Sequence, residues 1–367
     1  MNQARPAEPW LNLLTDTDRD FIAAVRGELI PDPGLLTMRS LRALSDLDRE
    51  RYAMRRTKWH RHFPIIRLSS REQIYEQFEV DRREDEWSRG DYAEGHPVSV
   101  LDGPPGVGKS TLLRAEIASS LALAARTRWL DEDEKVAQPS TSYRHLPTYQ
   151  PVIRFRHTSA NTVPTIVAGL LGKLGRPIGP RPHESLALAL KECRTSLIVF
   201  DEVQRVNFDR KTGQHVHGLL RELSEGHSRL ILAGNDARWM LERPKMFGAT
   251  FGTDASADRW IVLRVNPLGY DDESQQVEWR QFLAAIERRV RLCDLPEQGW
   301  LSEGLADYLY ALSEGRFNTL LGVLKRSFVR AIADGSEHVD RALLERARIE
   351  WTREQNRLSR TAELDDD

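Results

Sequence analysis

The chain has 367 residues, 40% hydrophobic and 8% aromatic, enough to fill one large core or two to three smaller ones. Charged residues make up 29% but nearly cancel, to a formal net charge of −2, which excludes tight binding of polyanions by overall attraction but not through a local basic patch. Cys193 and Cys293 lack metal-ligand spacing and read as buried thiols of a reduced, cytoplasmic protein. The start "MNQARPAEPWLNLL" lacks the basic-then-apolar pattern of a signal peptide. No apolar run reaches the about 18–20 residues that a bilayer span needs, so no membrane partner is expected.

Residues 1–75 read as a helical, highly charged segment. "LTDTDRDFIAAVRGELI" places Phe21, Ile22, Val25 and Leu29 on one helical face. The next helical stretch ends in a basic cluster of Arg51, Arg55, Arg56, Lys58, His60, Arg61 and His62. Two readings of that cluster stand: a solvated helix face, or a contact with phosphate or a partner. The segment is either a packed subdomain or an arm that orders on assembly.

Over 76–266 the pattern changes to short apolar runs separated by helical stretches. "VSVLDG", "PVIRFRH", "SLIVFDE", "RLILAGND" and "RWIVLRV" read as five buried strands. Strands alternating with helices predict an α/β core with a central parallel sheet flanked by helices. A helix is expected from Thr111 to about Arg126, followed by an exposed loop over "WLDEDEKVAQPSTSYRHLPTYQ". Residues 267–357 read as a helical lid subdomain, and 358–367 as an acidic, disordered tail.

The chemistry begins at "GPPGVGKST", Gly103, Pro104, Pro105, Gly106, Val107, Gly108, Lys109, Ser110 and Thr111. This is a P-loop. Its glycines let backbone N–H groups face phosphate oxygens, Lys109 reaches the β- and γ-phosphates, and Ser110 can ligate Mg²⁺. The cofactors expected are therefore ATP and Mg²⁺. "SLIVFDE" delivers Asp201 and Glu202 at a strand end, where Asp201 would hold the metal and Glu202 would polarise the attacking water. A dedicated water-activating Glu points to hydrolysis, and so to a motor or switch rather than a small-molecule kinase. Asn235, ending "LILAGN", is either a sensor that orients water or a helix cap. Arg316 in "SEGRFNTLL" starts a lid helix and can report the γ-phosphate. Arg259, before the last strand, suits a finger acting on a neighbouring subunit's nucleotide, with Arg243 and Arg238 as rivals.

The order P-loop, "LIVFDE", "LAGND", pre-strand Arg and lid "GRF" resembles the AAA+ ATPases over about residues 76–350. A narrower resemblance is to the TniB/TnsC group of ATP-dependent transposition regulators, with IstB and MuB as more distant relatives. It is carried by "ERYAMRRTKWHRHFPIIRLSS", "PVIRFRHTSANTVPTIVAGLLGKLGRPI", "VHGLLRELSEGHSRLILAGND" and "DRWIVLRVNPLGYDDESQQVEWRQFLAAIERRVRLCDLP". The resemblance implies ATP-driven homo-oligomers, rings or helical filaments, on double-stranded DNA. Such an assembly would recruit a transposase, engage a target-selection protein and mark the target site. Compatible basic and polar loop residues are Arg154, Arg156, His157, Thr158 and Asn161 after the second strand, and Arg205, Arg210 and Lys211 after the acidic pair. Equally, Arg154 and Arg156 could project only to solvent or carboxylates. The alternative function is a signalling or defence switch that activates a partner effector without DNA. A replication initiator or clamp loader fits less well, because initiators usually append a winged-helix domain and only a short segment follows the lid.

Overall fold

The structure, a computed structural model, describes residues 8–87, 98–135, 149–158, 162–206, 211–226, 228–237 and 260–365. Two compact units emerge. One gathers Met1–Ile22, Gln73–Pro104 and Lys109–Val265; the other gathers Ala23–Glu72, Pro105–Gly108 and Asn266–Asp367.

The first unit is built on a five-stranded parallel sheet of order β2-β3-β4-β1-β5. The strands are β1 (Val98–Asp102), β2 (Val152–Arg156), β3 (Leu197–Asp201), β4 (Arg229–Gly234) and β5 (Trp260–Arg264), the five read from the sequence. Every residue of β3 and β4 is buried, as helices covering both faces require, and this is why these strands read as unbroken apolar runs. On one face Val98, Val100, Ile153, Phe155, Ile198, Phe200, Leu230 and Leu232 pack with α6 (Val163–Lys173), α7 (Pro182–Glu192) and α8 (Lys211–Ser224). α5 (Lys109–Lys135) contacts β2, β3 and β4. It outruns the expected end near Arg126, because neither glycine nor proline interrupts the chain before residue 135.

The charged helix α4 (Glu72–Trp87) joins this unit through a buried polar network. Arg229, 2% exposed, donates to Glu116 Oε1 at 2.6 Å and Ser120 Oγ at 3.2 Å. Ser99 Oγ donates to Asp81 Oδ2 at 2.6 Å, and Arg82 pairs with Glu116. Asp81 on α4 and Glu116 on α5 are both almost fully covered. Burial without partners would cost several kcal/mol per ion.

The second unit is helical. It holds the end of α1 (Asp16–Arg26), then α2 (Met38–Arg42), α3 (Asp46–Arg61), α9 (Glu273–Glu287), α10 (Ala306–Ser313), α11 (Phe317–Ala333) and α12 (Arg341–Asp365). Its core centres on Trp279, Phe282, Leu283, Leu320, Leu324, Phe328 and Leu344. α1 stops one turn earlier than its apolar pattern suggests. Gly27 takes φ +75°, Glu28 N–H returns to Ala23 O at 2.8 Å, and Leu29 emerges 43% exposed while Ile30 is buried instead. The basic end of α3 is not one face. Arg51, Arg55, Lys58, Arg61 and His62 are exposed, whereas Arg56 and His60 are buried, Arg56 against Glu337 at 2.5 and 2.8 Å. Of the thiols, Cys193 is buried and Cys293 only half so. No helix among the described residues is long and apolar enough to cross a membrane.

Candidate nucleotide-binding and hydrolysis site

β1 ends at Asp102 and α5 begins at Lys109, so "GPPGVG" is the strand-to-helix turn. A side chain at Gly103 would place its Cβ 2.1 Å from the Val265 carbonyl oxygen, so only glycine fits there. Gly106 and Gly108 take φ of +81° and +99°, the left-handed region that glycine enters without strain. Pro104 and Pro105 are exposed, and Val107 is the loop's buried anchor.

In the sheet unit, Lys109 Nζ donates to Gly103 O at 2.6 Å, Pro104 O at 2.9 Å and Asn235 Oδ1 at 2.7 Å, which uses its three donors. Burial lowers its pKa, while Glu202, Asp102, Asp201 and Asp236 pull it back. Ser110 and Thr111 are exposed on the first turn of α5.

Asp201 is buried at the end of β3 and accepts from the N–H of Glu202 at 3.0 Å. Glu202 sits in the left-handed region at φ 61°, a conformation costing a non-glycine residue about 1–2 kcal/mol. Gln204 closes a circuit that sequence reasoning did not single out. Its amide donates to Glu202 Oε2, and its Oε1 accepts from the N–H of Asn235 at 3.2 Å. The acidic pair, the strand-end Asn and the P-loop lysine are therefore tied in one chain of hydrogen bonds. The available signal was a polar residue inside "DEVQRV".

Arg154, Arg156 and Arg205 gather at these carboxylates. Arg154 Nη2 lies 2.5 Å from Asp201, and Arg156 and Arg205 lie 3.6 and 3.8 Å from Glu202. Parallel register explains the first and brings Arg156 to the same strand end. Arg156 pairs with Asp201 and Arg154 with Val199, and side chains at paired positions, and two residues away, share a face. His157, expected in an accessible loop, is 1% exposed and stacks on Phe200 at 5.3 Å. Burial pushes its pKa down to about 4 and removes it from any surface contact. Thr158 and Lys211 are exposed. Asn161, Arg210, Arg238, Arg243 and Arg259 lie outside the described residues.

In the helical unit, the loop crown Pro105–Gly108 meets the start of α11. Asn318 N–H donates to Gly106 O at 3.1 Å, and a Cβ on Gly108 would stand 3.2 Å from the Phe317 ring. Arg316 precedes α11, half-exposed and 3.6 Å from Glu314. Gly315 at φ +70° makes the turn before it, against the Leu268 carbonyl.

No protein-family model matches the chain, and no curated protein matches its sequence. Solved structures do. The Aeropyrum pernix Orc1 protein, solved in complex with DNA, is similar at 17% identity and TM-score 0.52 over 78% of this chain. The match covers 66% of that chain, just under two thirds of its length. Domain III of the Thermotoga maritima replication initiation protein DnaA matches at 14% identity and TM-score 0.42, over 78% of this chain and 94% of that one. The Thermotoga maritima RuvB Holliday junction branch migration motor matches at 13% and 0.40, over 75% and 67%. The likeness to the Orc1 protein is one of fold, a parallel sheet flanked by helices.

The glycines of this turn suit a polyphosphate, since a residue without a side chain leaves its backbone N–H open to phosphate oxygens. The Ser110 hydroxyl and Asp201 carboxylate are hard oxygen donors of the kind Mg²⁺ takes together with nucleotide phosphates. A metal there would compete with Arg154 for Asp201. Glu202, held by Gln204, is the carboxylate that can take a proton from water.

Proposed function

We propose that the protein is an AAA+ ATPase that assembles on double-stranded DNA as a regulator of transposition, recruiting a transposase and marking its target. ATP with Mg²⁺ is the cofactor, and the cycle ends in hydrolysis. The observation that carries the ATPase reading is the hydrogen-bonded circuit Lys109–Asn235–Gln204–Glu202 beside Asp201. It joins the phosphate-binding lysine to the carboxylate that would activate water. Arg316 would sense the γ-phosphate, and Arg259 would reach a neighbour's site. The resemblance of four stretches to the TniB/TnsC group supports transposition, and the likeness to a protein solved on DNA supports the ligand.

Arg154, Arg156 and Arg205 supply the link between DNA and rate. Each now neutralises a carboxylate of the hydrolytic pair. Duplex phosphates competing for these guanidiniums would free Asp201 for metal and Glu202 for water. The same pairing favours a second reading, a nucleotide switch whose arginines stay internal and whose partner is a protein. Steady-state ATP hydrolysis with and without duplex DNA, at graded salt, separates the two. Stimulation that fades with salt supports the DNA regulator; an unchanged rate supports the switch.

A further inference from the structure

Three buried side chains of α3 spend their polar atoms on the backbone of one remote turn. Arg56 Nη1 donates to the Arg291 carbonyl at 3.3 Å, and Trp59 Nε1 to the Arg289 carbonyl at 2.7 Å. His60 Nε2 accepts from the Arg291 N–H at 2.9 Å. The spacing i, i+3, i+4 sets all three on one stripe of the helix. Arg56 is 1% exposed and neutralised by Glu337, and burial beside Arg56 keeps His60 neutral and able to accept. A buried ion pair and a buried neutral imidazole are a costly means of fixing a turn.

What the turn displays is "RRVR", Arg288, Arg289 and Arg291 around the buried Val290. The guanidinium of Arg289 stacks on the Trp59 ring at 3.8 Å, and that of Arg291 lies 5.5 Å from it, tied to Asp32 at 2.6 Å. Within one turn of Trp59, α3 adds exposed Lys58, Arg61 and His62. Many exposed arginines of this chain carry a carboxylate partner, among them Arg49, Arg67, Arg83 and Arg348. Among the described residues, Lys58, Arg61 and Arg288 have no such ion pair, while Arg289 feels the Asp32 carboxylate that Arg291 holds. Cations of two segments are thus joined, because α3's side chains hold the backbone of residues 289–291.

We propose that this surface, α3's last turn with residues 288–291, is a binding site for the phosphate backbone of double-stranded DNA, distinct from the strand-end arginines. Guanidiniums already immobilised by stacking lose little entropy on meeting phosphates. Neither segment exposes an aromatic ring on which single-stranded bases could stack, since Trp59 is 5% exposed. Neither exposes a large apolar side chain to insert into a lipid surface. Backbone contacts of this kind position a duplex without reading its sequence.

The site rests on the reading that duplex DNA is the ligand, and the test keeps the two apart. The variant Lys58→Ala/Arg61→Ala/Arg288→Ala alters only exposed side chains. Its affinity for a labelled duplex, by fluorescence anisotropy with ATP, should fall roughly tenfold or more near 0.1 M salt. Its log K against log salt should be shallower by about 2–3, since each phosphate contact contributes about 0.9. ATP hydrolysis without DNA should match wild type, and Lys58→Arg/Arg61→Lys/Arg288→Lys should retain affinity. Wild-type affinity and slope in the alanine variant would overturn the site while leaving DNA binding in place. Equal loss in the charge-conserving variant, or binding to phosphatidylserine vesicles in preference to duplex, would also overturn it. A wild-type protein that hydrolyses ATP and binds no duplex at low salt would remove both the reading and the site.

Discussion

Lowering the pH from 7 to 5 should cost the folded protein about 4 kcal/mol through two histidines alone. His60 is fully buried and its pKa is pushed down to about 3, chiefly by burial and then by Arg56. His157 is 1% exposed and pushed down to about 4 by burial, with Asp201 pulling the other way. In the unfolded chain both titrate near the ordinary value of 6.5. Below that value the unfolded state binds more protons than the folded one, so stability is complete above pH 6.5. It is lost as pH falls toward 3 for His60 and toward 4 for His157. Each unit of pH in that window removes about 1.4 kcal/mol per histidine, hence about 2 kcal/mol each by pH 5. Urea unfolding followed by tryptophan fluorescence at pH 7, 6 and 5 measures the total. Comparison with His60→Gln and His157→Gln isolates each share, because carboxylates titrate alike in all three proteins. His60 lies in the helical unit and His157 in the sheet unit, so two transitions would each carry one share. A variant whose pH dependence equals that of wild type would show that its histidine is not buried and neutral.

Lys109→Ala should weaken ATP binding by roughly 100-fold, the worth of a half-buried cation with charge-assisted bonds, and calorimetry showing wild-type affinity would defeat the site. Glu202→Gln should keep nucleotide affinity and slow turnover roughly 10²–10⁴-fold; a wild-type rate would exclude Glu202 as the base. Gly315→Ala should destabilise the helical unit by about 2 kcal/mol or more, since its Cβ would stand 2.1 Å from Leu268 O at φ +70°, and an unchanged melting temperature would contradict that geometry. Arg259→Ala should bind ATP but hydrolyse poorly, and mixing it with Lys109→Ala protein should restore part of the rate; no rescue in assembled mixtures would move the finger to Arg243 or Arg238.

The sheet was legible because strands buried on both faces leave apolar runs that no other element would leave. The strand-to-helix turn at "GPPGVG" and the strand end at Asp201 were legible because glycine-rich turns and acidic strand ends interrupt the apolar runs. What escaped depended on pairing across the chain. The basic end of α3 reads as a surface, and nothing local shows that Arg56 meets Glu337, 281 residues away. For Arg154 and Arg156 the sequence left DNA contact and carboxylate partners equally open, and the register of β2 on β3 set them beside the carboxylates. His157 follows a strand end that usually opens to solvent, and the rings of Phe155 and Phe200 pack against it. Gln204 gained meaning only once β4 delivered Asn235 next to it.

The Asp81–Ser99–Glu116–Arg229 network has a consequence for descent. Losing any one charge strands its partners in the interior, at about 3–5 kcal/mol, a large part of a typical domain's stability. Replacing the whole set with apolar side chains of similar volume can be neutral. The stable sequences on either side are thus separated by a valley that no single substitution crosses. Diverging descendants of this chain will keep Asp81, Glu116 and Arg229 together or exchange them together. The seam between α4 and the sheet then records ancestry more durably than the exposed residues around it.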